Sequence, residues 1–199
     1  MHVIAIDGPA GSGKSTLARA IAARTGLDYL DTGAMYRSVT LAVIRQGIDP
    51  ADAKAIAAIA AHVPVDSTDA IRTAEVSALV STVAAHPEVR EHLVRRQREW
   101  AAERGGGVVE GRDIGTVVFP DAAVKVYLTA HEDERVRRRQ VEGGDAVAAE
   151  VVRRDQVDST RATSPLLAAG DAMVIDTTGR TVEEIVDEVL AHASAAGSG

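Results

Sequence analysis

The sequence predicts an α/β fold in which a parallel sheet carries helices on both faces, and three observations point to it. Apolar runs at residues 3–6, 27–30, 108–109, 124–128 and 173–175 read as strands and alternate with stretches of helical period, the pattern of strands joined by crossover helices. The first run leads into Gly8-Pro9-Ala10-Gly11-Ser12-Gly13-Lys14-Ser15 and then into a helical stretch beginning at Thr16, which is the G-x-x-x-x-G-K-[ST] phosphate-binding loop in its strand–loop–helix setting. A chain of 199 residues with 46% hydrophobic content is long enough for one core domain with one or two small insertions.

The elements follow in order. Helical spacing after Ser15 runs to Arg24, with Gly26 as its C′ residue. Asp31-Thr32-Gly33 is capping chemistry for a second helix with Met35, Val39 and Ala42 on one side, ending near Gly47. Asp49-Pro50 predicts a third helix from Pro50 to about His62, capped by Asp49. Residues 63–69 read as loop or a short extended piece; helical spacing resumes at Val76, pauses at Pro87 and continues to Trp100. Gly105-Gly106-Gly107 is expected to end that helix, and Val108-Val109 to lead as a strand into Glu110-Gly111-Arg112-Asp113. Polar clusters at strand ends are where open α/β sheets place ligands. Thr129 is expected to cap a helix running to Gly143-Gly144, and Thr181-Val182-Glu183-Glu184 is a capping box for the last helix. Residues 194–199 read as a frayed tail.

Composition excludes several classes of function. A formal net charge of -7 argues against broad binding of DNA or RNA, and 3% aromatic content leaves few residues for base stacking. The absence of cysteine removes disulfides, thiolate metal sites and cysteine nucleophiles. No segment reads as a secretory leader or a bilayer-spanning helix, so no membrane association is expected and the chain reads as a soluble cytoplasmic protein.

Within the loop, glycine at positions 8, 11 and 13 lets main-chain N–H groups close on a phosphate chain, with Pro9, Ala10, Ser12 and Thr16 completing the cradle. Lys14 reaches the β- and γ-phosphates, and the Ser15 hydroxyl is placed to hold Mg²⁺. The acceptor must be read from the other charged residues. At helical spacing Arg154, Asp158 and Arg161 share one face; such a face serves either as a solvated ion-pair row or as a seat for a phosphorylated sugar. Arg135 and Arg139 likewise share a face beside a glycine break, which suits a mobile cover over a transferring phosphate. No histidine lies beside these groups, and His62, His86, His92, His131 and His192 read as surface or capping residues. A phosphate acceptor needs no general base, because its second pKa of ~6 leaves its oxygen largely ionised at neutral pH.

Asp31-Thr32-Gly33-Ala34-Met35-Tyr36-Arg37, the run from Glu110 through Ala122, and Arg154-Asp155 through Asp158-Ser159-Thr160-Arg161 resemble bacterial cytidylate kinases, members of the nucleoside monophosphate kinase group of P-loop enzymes. The resemblance implies a P-loop NTPase-type three-layer fold with a five-stranded parallel sheet. It implies a core at 1–36, 105–130 and 165–193, a helical acceptor-binding insert at about 37–104 and a short lid at about 131–154. It further implies ATP as donor with Mg²⁺ and CMP or dCMP as acceptor; a monomer is expected. By motif, Arg37, Arg112 and Arg161 would hold the acceptor phosphate, Arg154 and Asp158 the sugar hydroxyls, and Ser81, Arg90 and Asp113 the cytosine edge, with Thr32 also on the substrate. Lys14, Arg112, Arg135, Arg139 and Arg154 would carry the catalysis.

Three departures from the family pattern stand out. Only residues 63–73 lie where the insert usually carries a small antiparallel sheet, the lid reads short, and Glu110 stands where many relatives have Asp. Other readings of the same loop are a different small-acceptor kinase, such as one for shikimate or another monophosphate, a nucleotide-hydrolysing switch, or an inactive scaffold. A guanine-selective switch would show an N-K-x-D-type motif, and none follows the Tyr127 strand.

Overall fold

The computed structural model describes residues 2–143 and 166–196. The chain divides into two compact units, Met1–Leu30 with Ala101–Gly199, and Asp31–Trp100.

The first unit is built on β1 (His2–Asp7), β2 (Tyr29–Asp31), β3 (Gly106–Glu110), β4 (Val124–Thr129) and β5 (Met173–Asp176). They form one sheet in the order β2-β3-β1-β4-β5, and the β1–β3, β1–β4 and β4–β5 pairs are all parallel. One face packs Ile4, Ile6, Val108, Val126 and Leu128 against Leu17 and Ile21 of α1 (Lys14–Thr25) and against Ile185 and Val189 of α7 (Val182–Ala196). The alternate residues Val3, Ala5 and Val109 are equally buried, so both faces are covered, as a parallel sheet requires. β1 is central, with β3 on one side and β4 on the other. The direction of strand order therefore changes beside it, and the crevice of such a sheet opens at the carboxyl end there.

Local chemistry sets the helix ends as the sequence suggests at α1, where Gly26 donates its N–H to Ala22 O, and at α7, where Thr181 and Glu184 exchange side-chain-to-backbone hydrogen bonds. Two expectations are corrected. Gly106 and Gly107 belong to β3 rather than to a helix stop, and a Cβ at Gly106 would lie 2.0 Å from His2 O. The strand is glycine there because β1 leaves no room for anything else. Thr129 does not cap α6 (Glu132–Gly143); it ends β4 and donates its hydroxyl to Ile175 O. The sequence also gave no sign of the single π-type turn at Ile114–Val118, in which Phe119 N–H reaches Ile114 O at 2.7 Å.

The second unit is helical: α2 (Thr32–Gln46), α3 (Ala53–Ala60), α4 (Ala74–Ala85) and the greater part of α5 (Pro87–Glu103). Asp31 caps α2 by accepting the Ala34 N–H. The third helix starts at Ala53, not Pro50, and its cap is Asp52; Asp49 instead makes a turn by accepting the Ala51 N–H. Residues 63–73 form no strand; their one regular element is a 3-10 turn at Asp69–Arg72. Ser38 holds this stretch on α2 by accepting the Asp66 N–H at 2.8 Å. Among the described residues no helix is long and apolar enough to cross a membrane.

Candidate active site

β1 delivers its last residue, Asp7, to the loop at residues 8–13, and α1 begins at Lys14. Its N-cap, Gly13, supplies no side-chain hydrogen bond, and the first turn holds no acidic residue. The positive end of the helix thus has no carboxylate of its own and is free to attract a phosphate. Ser12 Oγ is buried in the loop without a hydrogen-bond partner, a further donor that suits a phosphate oxygen. Lys14 Nζ donates to Pro9 O at 2.7 Å.

The Ser15 hydroxyl donates to Glu110 Oε2 at 3.0 Å, and the Tyr29 hydroxyl donates to the other oxygen of the same carboxylate. The Arg19 guanidinium lies 5.3 Å from the Tyr29 ring centroid, close enough for a cation–π attraction that holds the ring in place. Among the described residues no three His, Cys, Asp or Glu side chains gather into a closed metal cage. A hydroxyl backed by a carboxylate fits Mg²⁺, which takes few protein oxygens and completes its shell with phosphates and water.

Helix α6 contributes arginines to the loop. Arg135 Nη1 donates to Ala10 O at 3.2 Å. Arg138 donates to Thr177 Oγ1 at 2.9 Å, to Thr177 O at 3.0 Å and to Gly11 O at 3.4 Å, and the Thr177 hydroxyl donates in turn to Ser12 O. Arg137 and Arg138 flank Glu134 and hold its carboxyl down at about 2. A cleft of about 330 Å³ opens beside the loop, lined by Ser12, Gly13, Thr16, Arg138, Thr177 and Arg180 among others. At Gly11 the need for glycine comes from the protein itself as well as from any phosphate: a Cβ there would sit 2.6 Å from Arg135 O.

At the end of β3, Arg112 Nη1 donates to Gly8 O at 3.1 Å. Asp113 is buried and precedes the π-type turn. Asp7 accepts the N–H groups of Ile114 and Gly115 at 2.8 and 2.7 Å. Burial pushes the Asp7 carboxyl up to about 6, with the Gly115 and Ile114 N–H groups opposing that rise.

The Asp31–Trp100 unit carries its own cluster. Arg37 on α2 and Arg90 on α5 are both buried, at 8% and 5% exposed, an uncommon setting for guanidinium groups. Arg37 Nη1 donates to Ser77 Oγ at 3.4 Å; Arg90 Nη1 donates to Ala84 O, and its guanidinium lies 5.5 Å from the Tyr36 ring centroid. Residues 77, 81 and 84 fall on one face of α4, so buried Ser81 sits on the face of α4 that both arginines touch. Thr32 is buried at the start of α2.

The structure thus brings Lys14, Ser15, Arg112 and Arg135 to the phosphate loop, with Asp113 next to Arg112 in the chain, and brings Arg37 and Arg90 to α4, which carries Ser81. Arg154, Asp158 and Arg161, and the side chain of Arg139, lie outside the described residues. Sequence reasoning assigned no site role to Asp7, Tyr29, Tyr36, Ser77 and Thr177. For Asp7 a signal was present, a carboxylate closing an apolar strand immediately before Gly8. For Thr177 and Ser77 there was none.

The family model for cytidylate kinase matches residues 4–195. The chain is 51% identical over 208 residues to the cytidylate kinase of Mycobacterium leprae (strain Br4923), covering 94% of this chain and 93% of that protein. It is 48% identical over 211 residues to a bifunctional pantoate ligase/cytidylate kinase of Synechococcus sp. (strain WH7803), covering 93% of this chain and 43% of that protein. Among solved structures, a gluconokinase from Sinorhizobium meliloti 1021 superposes with a TM-score of 0.57 at 16% identity, over 98% of this chain and 92% of that one. TT1252 from Thermus thermophilus does so with a TM-score of 0.52 at 24% identity, over 96% and 98%. These two establish likeness of fold.

Proposed function

Because the chain belongs to the cytidylate kinase family, we infer that it transfers the γ-phosphoryl group of ATP to CMP or dCMP, giving ADP and CDP or dCDP. The observation that carries the acceptor side is the pair of buried arginines, Arg37 and Arg90, on the face of α4 that bears Ser81. A nucleoside monophosphate offers both what such a pair can read, a phosphate for Arg37 and a base edge to which Arg90 can donate.

The residues divide the work. Main-chain N–H groups of residues 8 and 10–16 and the Lys14 ammonium bind the donor phosphates. Ser15, backed by Glu110, would hold Mg²⁺, which supplies charge neutralisation between the β- and γ-phosphates when bound. The acceptor phosphate oxygen, already ionised at neutral pH, attacks the γ-phosphorus while the bond to the β-bridging oxygen breaks, so no side chain need take a proton. Arg112, Arg135, Arg139 and Arg154 spread the negative charge of the transition state. Arg37, Arg112 and Arg161 hold the acceptor phosphate, Arg154 and Asp158 the sugar hydroxyls, and Thr32 contacts the substrate. Cytosine presents an amino donor beside a ring-nitrogen acceptor; Ser81 and Asp113 accept from the first, and Arg90 donates to the second. The same reading makes residues 37–104 the acceptor-binding insert and 131–154 the lid of a monomeric, cytoplasmic enzyme.

Coupled ADP-release assays with CMP, dCMP, UMP, AMP and dTMP test this. Turnover selective for the cytosine nucleotides is expected, and equal turnover of all five would refute the assignment of the base contacts.

A further inference from the structure

The phosphate loop and the corner that follows β3 are tied together at three successive points. Gly111 N–H donates to Ile6 O at 2.9 Å, Arg112 Nη1 donates to Gly8 O at 3.1 Å, and the Ile114 and Gly115 N–H groups donate to the two oxygens of Asp7 at 2.8 and 2.7 Å. The residue between Ile6 and Gly8 thus holds both leading amides of the π-type turn. From these contacts we propose that Asp7 is a positioning residue of phosphoryl transfer, fixing the Arg112–Asp113 corner against the first residue of the phosphate loop.

The chemistry of the side chain supports this role. The carboxylate gives each of the two N–H groups its own oxygen; an asparagine of the same length offers one acceptor oxygen and sets an NH₂ donor against the other N–H. Asp7 is 4% exposed, and its nearest candidate for an ion pair from β4, Lys125, is turned elsewhere, with its ammonium on Asp171 at 2.7 and 2.9 Å. The Lys125 stem and Asp7 close on Gly115 so tightly that a Cβ there would lie 3.2 Å from Lys125 Cδ and 3.4 Å from Asp7 Oδ2. The charged groups that act on Asp7 at longer range are Asp113, which disfavours its ionised form, and Lys14, which favours it. Asp7 therefore lies within the field of both a donor-side lysine and the acceptor-side corner. Keeping an ionised carboxylate in such a place is unfavourable for the folded state. A residue that served the fold alone would be replaced by asparagine without harm to turnover.

This inference rests on the phosphoryl-transfer reading, and the test keeps the two apart. Steady-state kinetics of Asp7→Asn are compared with wild type, using whichever monophosphate the wild-type enzyme turns over. Failure of wild type to use CMP counts against the activity reading; the ratio of variant to wild type judges Asp7. The expected result is a kcat lowered about tenfold and an acceptor KM raised severalfold, with the ATP KM within about twofold and a Tm at pH 7.5 no lower than that of wild type. A kcat and both KM values within about twofold of wild type overturn the proposal, as does a loss confined to the ATP KM. Gly115→Ala, which crowds the same contact and leaves the carboxylate in place, carries the test if Asp7→Asn does not fold. Lower kcat with unchanged ATP KM supports the proposal, and unchanged kcat overturns it.

Discussion

The two compact units present positive charge by opposite means. In the unit of Met1–Leu30 with Ala101–Gly199, much of it comes from the main chain: an uncapped helix N-terminus and a glycine-rich loop, with one lysine and arginines from α6 around them. In Asp31–Trp100 it comes from two guanidinium groups buried among helices. Main-chain dipoles read any phosphate and ignore what it is attached to. Buried side chains are expensive to desolvate and favour a ligand of matching shape and charge. On the proposed function, the first unit is the generic half of the chemistry and the second the selective half.

The sharpest way to break that contrast is to remove the lysine of the phosphate loop, Lys14. Lys14→Ala is expected to lower kcat about 1,000-fold while leaving the fold intact by circular dichroism. Undiminished turnover would remove the loop from the reaction.

Charge buried in the first unit is the next point of attack. Asp7 has a folded-state pKa of about 6 against an ordinary 3.8, so the folded state binds the extra proton between these values. The stabilisation is present below pH 4 and is lost as pH rises through 6. The stability of wild type relative to Asp7→Asn should therefore fall by about 3 kcal/mol from pH 3.5 to pH 7, measured by urea unfolding across that range. A flat difference would mean that the carboxylate feels no burial.

In the selective half, Arg90→Met removes the guanidinium over Tyr36 and keeps an apolar stem. It is expected to lower kcat/KM for the cytosine acceptor about 100-fold, to narrow the preference over other monophosphates, and to leave the ATP KM unchanged. A matching loss in ATP affinity would erase the division between the units. The smallest effect is expected at Tyr29→Phe, which deletes the hydroxyl donated to Glu110. Half-maximal turnover should need about threefold more Mg²⁺, in proportion to one charge-assisted hydrogen bond in a partly exposed position.

What the sequence made legible was local. The α1 and α7 ends, the Asp31 cap and the phosphate loop are each determined by residues within a turn of one another, and each was readable. Gly106 was misread because three glycines in a row stop a helix locally, whereas their real constraint is β1, whose contact is set by sheet packing. Asp49 and Asp52 offer the same cap within four residues; Asp49 closes a turn onto Ala51, and Asp52 caps the helix. In the site the same boundary holds. The Asp7 contacts span 107 and 108 residues of sequence and the Tyr29–Glu110 contact spans 81. No periodicity or capping rule operates over such separations.

Gly106 also has a meaning for the mutational tolerance of the chain. It pairs with His2 at the far end of the ladder in which Ile6 pairs with Glu110, four residues or ~13 Å from the chemistry at a strand rise of about 3.3 Å per residue. A methyl group there would push β3 off β1 or slip it by one position, and a slip of one turns every side chain to the opposite face, carrying Glu110 away from Ser15. In a saturation scan read by growth or turnover, position 106 should therefore behave like an active-site residue although it bears no functional group. Gly105 beside it, with open space around its Cβ and a φ of +71°, should accept asparagine. Intolerance in such a scan marks where register is written as well as where catalysis happens.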